Sequence, residues 1–398
     1  MNRKHLLSAA FIISTFTASA QDANRTFAIT GDGSGNYLWM NIRQVDIGSG
    51  KLEKDIFQRD VTAFTLTDAL SRKAVGSTPT ASMVAAAAYD KKHDKLFFAP
   101  MRINELRWLD VSGNANKYYS VNGLGSENLN DEANHITRMV INADGYGYAI
   151  TNDGNHLIRF TTGKKTTITD LGNLIDAEGA NGISIHNKCS SWGGDMIADA
   201  YNKLYVISAS HNVFEVNVDT RIAKYKGAIT GLPGTYTTNG AAVDADGKIV
   251  VSSANTLSGY YKFEIADLKA TLIEGSDKVN ASDLANGNLL KQKEADAAKT
   301  FGAPSLPVIA PAAEGRVYPN PVTSNEFKVS FDGYASGKYM IALTDLSGRA
   351  VLNKSVYISG KGQVETVRFS SSVSKGMYLV KVTDANKQNI VTERIVVQ

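Results

Sequence analysis

MVAAAAYDKKHDKLFFAP, residues 83–100, reads as a β-hairpin: a run of small and apolar residues, a polar turn, then a second apolar run. Asp, Asn and Gly tolerate turn dihedrals, which places the turn at Asp90. Three later segments repeat the pattern: TRMVINADGYGYAIT (137–151), GDMIADAYNKLYVIS (194–208) and GAAVDADGKIVVSS (240–253). Their turns fall at Asn142, Asp199 and Asp244, so the repeat runs 52, 57 and 45 residues. Each hairpin is followed by a further strand, at ELRWLDVSG (105–113), HLIRFTTGK (156–164), NVFEVNVDT (212–220) and YYKFEIADL (260–268). KYYSV (117–121) and KTTITDL (165–171) supply fourth strands. Three or four strands at such a period are the signature of a β-propeller, one blade per repeat. The small residues Ala85 to Ala88 and Gly240 to Ala242 suit a crowded inner strand. Trp108, Phe160, Phe214 and Phe263 suit the packing between blades.

A partial blade precedes these, in TFAITGD (26–32), YLWMNIRQVDI (37–47) and KLEKDIFQ (51–58). It has no inner strand of its own. VNASDLANGNLLKQ (279–292) is placed to supply one, closing the ring and removing exposed sheet edges. The expectation is an all-β body of five to six blades over residues 21–300, with 59–82 irregular; a stacked β-sandwich is the alternative. In periodicity alone, residues 22–300 resemble the secreted six-bladed propellers, including the NHL and lactonase-like groups. That resemblance transfers no catalytic motif.

The rest of the chain frames this body. MNRKHLLSAAFIISTFTASA (1–20) has a basic start, a short apolar run and small residues before Gln21, as a cleaved secretory signal peptide does. No other segment is long and apolar enough to span a membrane. Residues 316–398 carry 11 Lys and Arg against 6 Asp and Glu, and residues 21–315 carry 29 against 33. A mildly acidic body without a basic cluster excludes nucleic acid as the expected partner. Cys189 is the one cysteine, so no internal disulfide is available and the core must supply stability. With no histidine partner assignable, Cys189 reads as a half-buried small residue and not as a nucleophile.

FGAPSLPVIAPAAEG (301–315) holds three of the eight prolines and reads as an extended linker. Beyond it, RVYPNPVTSNEFKVSF (316–331) opens a series of alternating runs, giving about seven strands of a small Ig-like β-sandwich. The prolines of Tyr318-Pro319-Asn320-Pro321 fix φ and form a stiff lead-in to the first strand. YPNPV, then TDLSGRAV, then SKGMYLVKVTD, ending in RIVVQ, resembles the type A C-terminal sorting domain of type IX secretion cargo. Pro319, Asn320, Pro321, Gly348, Gly376 and Tyr378 carry the resemblance. It implies export by the signal peptide and then passage of the outer membrane directed by the tail. It also implies the secretion machinery and a sortase-like peptidase as partners, and a mature body attached to the surface or released.

Chemistry is sparse. The mature histidines show no metal-binding spacing. NADG (142–145) and DADG (244–247) resemble the start of a calcium loop but lack its distal ligands, and they fit hairpin turns. GDGSGN (31–36) lacks the Lys-Ser/Thr and following helix of a phosphate loop. Loops that lead into the inner strands gather at one mouth of a propeller, which makes His135, Arg138, Trp192, Asp195 and Asn239 the candidate ligand-binding residues. No catalytic or metal-ligating residue is assigned and no cofactor is read; calcium is the candidate should the mouth hold a metal. The favoured function is a non-enzymatic surface protein binding a glycan or a protein. The alternatives are a metal-dependent lactonase-like hydrolase or lyase, and a structural or adhesive component. At a solvated mouth, His135→Ala and Asp195→Ala are expected to leave folding intact.

Overall fold

The computed structural model describes residues 23–32, 37–113, 117–125, 128–179, 183–300, 317–331, 334–345, 349–360, 362–370, 373–385 and 389–398. The signal peptide, the linker, Gly348 and most of GDGSGN lie outside them. The chain divides into two compact units, Met1–Phe301 and Gly302–Gln398.

Among the described residues the first unit holds five sheets. Blade 1 has β1 (Arg25–Thr30), β2 (Asn41–Asp46) and β3 (Lys51–Phe57). Blade 2 has β4 (Thr65–Asp68), β5 (Val84–Asp90), β6 (Lys95–Pro100), β7 (Glu105–Asp110) and β8 (Lys117–Asn122). Blade 3 has β9 (Ile136–Ile141), β10 (Gly147–Thr151), β11 (Leu157–Phe160) and β12 (Ile168–Asp170). Blade 4 has β13 (Ile175–Asp176), β14 (Asp195–Ala198), β15 (Lys203–Ile207), β16 (Asn212–Asn217) and β17 (Ile222–Ala228). Blade 5 has β18 (Gly240–Val243), β19 (Ile249–Ser252), β20 (Tyr261–Phe263) and β21 (Thr271–Leu272). The last strand, β22 (Ala281–Ala285), pairs antiparallel with β1 and becomes the inner strand of blade 1. The predicted closure therefore forms.

The inner strands β22, β5, β9, β14 and β18 each contact the next, and β18 returns to β22. That closed circuit fixes the count at five blades, with no sixth among the described residues. The stretch 59–82 adds no blade. It contributes β4, which runs parallel to β8 at the edge of blade 2. Arg107 holds the segment between β4 and β5, donating to the carbonyls of Thr78 and Pro79 at 2.8 and 2.7 Å.

Five buried clusters fill the five spaces between blades, and these are the core. The bulky residues read from the sequence fall there: Trp108 and Phe160 between blades 2 and 3, Phe214 between 3 and 4, Phe263 between 4 and 5. Small inner-strand residues are needed because five strands converge. A Cβ on Gly240 would meet Leu284 Cγ of β22 at 2.9 Å, so this glycine lets the closing strand seat.

Each inner strand ends in or is followed directly by Asx, at Asp90, Asn142, Asp199, Asp244 and, after the closing strand, Asn286. The carboxylates turn the chain: Asp199 Oδ1 accepts the N–H groups of Tyr201 and Lys203, and Asp244 Oδ1 those of Asp246 and Lys248. These are side-chain-capped turns.

Among the described residues the second unit is a two-sheet sandwich of seven strands: β23 (Val317–Tyr318), β24 (Glu326–Ser330), β25 (Gly337–Asp345), β26 (Ala350–Ile358), β27 (Val364–Arg368), β28 (Gly376–Thr383) and β29 (Asn389–Val397). One sheet runs β23-β24-β27 and the other β26-β25-β28-β29. Phe327, Val329, Ile341, Leu343, Val380 and Ile395 lie in its buried core. The alternation of buried and exposed residues along β25 matches the period-2 pattern of its sequence.

Candidate functional site

The predicted mouth residues lie where the inner strands begin, and His135, Arg138 and Asp195 among them are buried. His135 is 3% exposed, and its Nε2 lies 2.9 Å from the Leu129 carbonyl. Arg138 is fully buried in β9. Its Nε and Nη2 donate to Gly193 O at 3.1 and 2.9 Å, Nη1 to Thr151 O at 3.1 Å and Asn152 O at 3.4 Å, and Nη2 also to Ser191 O. Burial lowers its pKa to about 10, against the pull of the Asp195 and Asp153 charges, so the guanidinium stays protonated at neutral pH. Asp195 is 1% exposed at the start of β14. Its Oδ1 accepts the Met196 N–H and its Oδ2 the Ala241 N–H of the neighbouring blade, both at 2.7 Å.

Trp192 and Asn239 are half-buried. Trp192 Nε1 donates to His186 O at 3.1 Å, and Lys188 Nζ sits 4.8 Å from its ring. Asn239 Oδ1 accepts the Thr237 hydroxyl and the Ala254 N–H. Of the five, Arg138 and Asp195 are brought together, and Arg138 binds the carbonyls on either side of Trp192. His135 is turned into the loop before its own strand. The sequence placed these residues at the starts of the inner strands but could not give their burial, which comes from five short inner strands packed closely round the ring. His135→Ala is therefore expected to lower stability by about 1–2 kcal/mol, measured by urea unfolding. An unchanged midpoint would show the Leu129 contact to be dispensable.

The sequence reading missed Asp283. It lies in β22 opposite Ile29 of β1 and is 0% exposed. Neither of its oxygens accepts a hydrogen bond at normal geometry. The Asp195 carboxyl and the Ala87 N–H are the polar groups that bear on it. Burial, and for Asp283 the neighbouring Asp195 charge, hold both carboxyls well above the ordinary carboxylate range. An aspartate inside ASDLA, a strand expected on the crowded ring, was the available signal.

A groove of about 290 Å³ lined by Leu38, Asn41, Arg43 and Arg59 lies at the end where the inner strands begin, and further open space lies at the other end of the ring. The void between the inner strands is about 10 Å³, bordered by Ala87, Met139, Met196 and Ala241. A groove of about 670 Å³ lies beside the β18–β19 turn, lined among others by Lys91, Asp246, Lys248, Glu264 and Lys293. It abuts the helix Gln292–Thr300. Lys248 pairs with Glu264 at 3.3 Å and Lys293 with Asp246 at 3.5 Å. Among the described residues no three His, Cys, Asp or Glu side chains converge as metal ligands, and no helix is long and apolar enough to cross a membrane. Cys189, expected to be half-buried, is exposed on the short helix Lys188–Ser191, whose first N–H groups are capped by Asn187.

In the second unit, Asn320 ties the start of the sandwich to its last strand. Its Nδ2 donates to Arg394 O at 2.8 Å and its Oδ1 accepts the Val396 N–H at 3.0 Å. The peptide bonds before Pro319 and Pro321 are cis. Val322 N–H donates to Val396 O at 2.7 Å. Residues 316–398 match the family described as the secretion system C-terminal sorting domain. The tail is a sorting domain of type IX secretion cargo. Within this sorting domain, Tyr378 is buried and its hydroxyl donates to Ser374 O at 2.7 Å, while Gly376 opens β28. Among the described signature residues, Asn320 therefore joins the ends of the sorting domain and Tyr378 anchors the start of β28.

No curated protein matches the chain. Among solved structures it is similar to PorZ, a surface component of the type IX secretion system of Porphyromonas gingivalis, at 14% identity and a TM-score of 0.33 over 94% of this chain and 51% of that one. It is also similar to a protein of unknown function from Bacteroides thetaiotaomicron, at 13% identity and a TM-score of 0.38 over 66% and 70%. A third is a virginiamycin B lyase from Staphylococcus aureus, at 10% identity and a TM-score of 0.31 over 81% and 86%. The chain spans about half the length of the first structures it resembles.

Proposed function

We propose that the propeller is a non-enzymatic binding protein, delivered by its sorting domain to the cell surface or the medium, where it engages a glycan or a protein. The closed axis carries this reading. The polar groups at the predicted mouth are spent on the protein's own backbone, and the void between the inner strands is too small for more than a water. The groove at the turn end is of ligand size and lined by charged and amide groups on rigid hairpin turns. On this reading the sortase removes the tail after passage and the body acts alone.

Glycan arrays and surface-protein capture with the purified chain test the proposal. Lys248→Glu together with Lys293→Glu breaks both groove ion pairs and is expected to weaken ligand capture at least tenfold. Trp192→Ala, at the opposite end, should leave capture unchanged. The reverse outcome would return the site to the mouth.

A further inference from the structure

We propose that Asp195 and Asp283 share one proton on the propeller axis, and that this proton helps hold the closing strand in the ring. The two side chains come from the strands β14 and β22, on opposite parts of the circuit, and both are removed from water. Two adjacent carboxyls in a dry site cannot both ionise at low cost. Their surroundings decide which one keeps the proton. Asp195 accepts two backbone N–H groups and has the Arg138 guanidinium as its neighbour, so it is the site of the negative charge. Asp283 has no such compensation at either oxygen. It is the acid: its O–H donates to the Asp195 carboxylate, and on ionisation the proton passes to water and leaves two charges facing each other.

The groups facing the pair are few. From β9 comes Arg138, with Asp153 of the following loop near it. β1 presents Ile29 opposite Asp283; β5 and β18 present the Ala87 and Ala241 N–H groups. The single guanidinium can balance one carboxylate and not two. Because Asp283 belongs to the strand that closes the ring, loss of its proton acts on closure itself.

The native state keeps this proton well above the ordinary aspartate value of about 3.9, whereas the unfolded chain releases it there. Between the two values the native state binds more protons. Stability from this pair is therefore full below about pH 4, falls as pH rises toward the native value, and is lost above it.

Thermal melting of the full chain from about pH 5 to about pH 9 tests this, using wild type, Asp283→Asn and Asp195→Asn. The wild-type body transition should fall by several degrees as pH rises. Asp283→Asn keeps a neutral donor toward Asp195, so its transition should be flatter and higher at the alkaline end. Asp195→Asn should also flatten the curve. Parallel curves for wild type and Asp283→Asn would overturn the proposal. So would a wild-type curve moved by calcium or by a chelator, which would place a cation where the proton is assigned. If the variants do not fold, hydrogen exchange of the wild type decides: protection of the 281–285 amides, corrected for intrinsic exchange, must fall with pH, and constant protection refutes the lock.

Discussion

Arg138→Ala is expected to leave the body unfolded or close to it, with a loss of about 3–5 kcal/mol. The guanidinium is fully buried and reaches four carbonyl groups, at Thr151 and Asn152 at the end of β10 of blade 3 and at Ser191 and Gly193 before β14 of blade 4. Truncation removes every donor at once. Each carbonyl left unpaired away from water costs about 1–3 kcal/mol, and the vacated volume adds a cavity penalty. It also strips Asp195 of the opposite charge that balances it, which compounds the loss. Arg138→Lys should be intermediate, because an ammonium has three donors and no planar fork. Equilibrium urea unfolding reads the difference. A midpoint within experimental error of wild type for Arg138→Ala would mean that the carbonyl contacts contribute nothing net, and would return Arg138 to the role of a ligand-binding residue.

The same residue shows how far the sequence could be read. The hairpins at 83–100, 137–151, 194–208 and 240–253 were legible because period-2 alternation and a turn-forming Asx are local signals. So was closure by 279–292, since a blade without an inner strand must find one. The parallel edge strands β4 and β13 were not legible. They are held by partners about 50 residues away, at Thr65↔Lys117 and Ile175↔Ile222, and nothing local marks them. Blade count depended on 59–82, whose course is partly set by the distant Arg107. At the predicted mouth, sequence placed His135, Arg138 and Asp195 at the starts of their inner strands. It could not say that the strands approach closely enough to bury them, because that is a property of the closed ring. Asp283 escaped for the same reason: its meaning depends on Asp195, 88 positions earlier.

Removing residues 316–398 is expected to abolish display at the surface and in the medium while leaving the body folded. The sorting domain is a compact unit with its own buried core, and the five inter-blade clusters draw on none of its residues. The truncated chain should accumulate in the periplasm and melt as the intact body does, which fractionation with protease shaving and thermal unfolding would read. A single substitution sharpens the test. Asn320→Ala deletes the two side-chain hydrogen bonds that Asn320 makes to β29, a loss of about 1–3 kcal/mol from that unit alone. Export should then decline in proportion to the unfolded fraction of the tail, with the propeller unaffected. Normal display of the truncated chain would show that residues 316–398 do not direct transport. Normal display of Asn320→Ala with a demonstrably unfolded tail would show that the machinery reads the terminal sequence and not the sandwich that presents it.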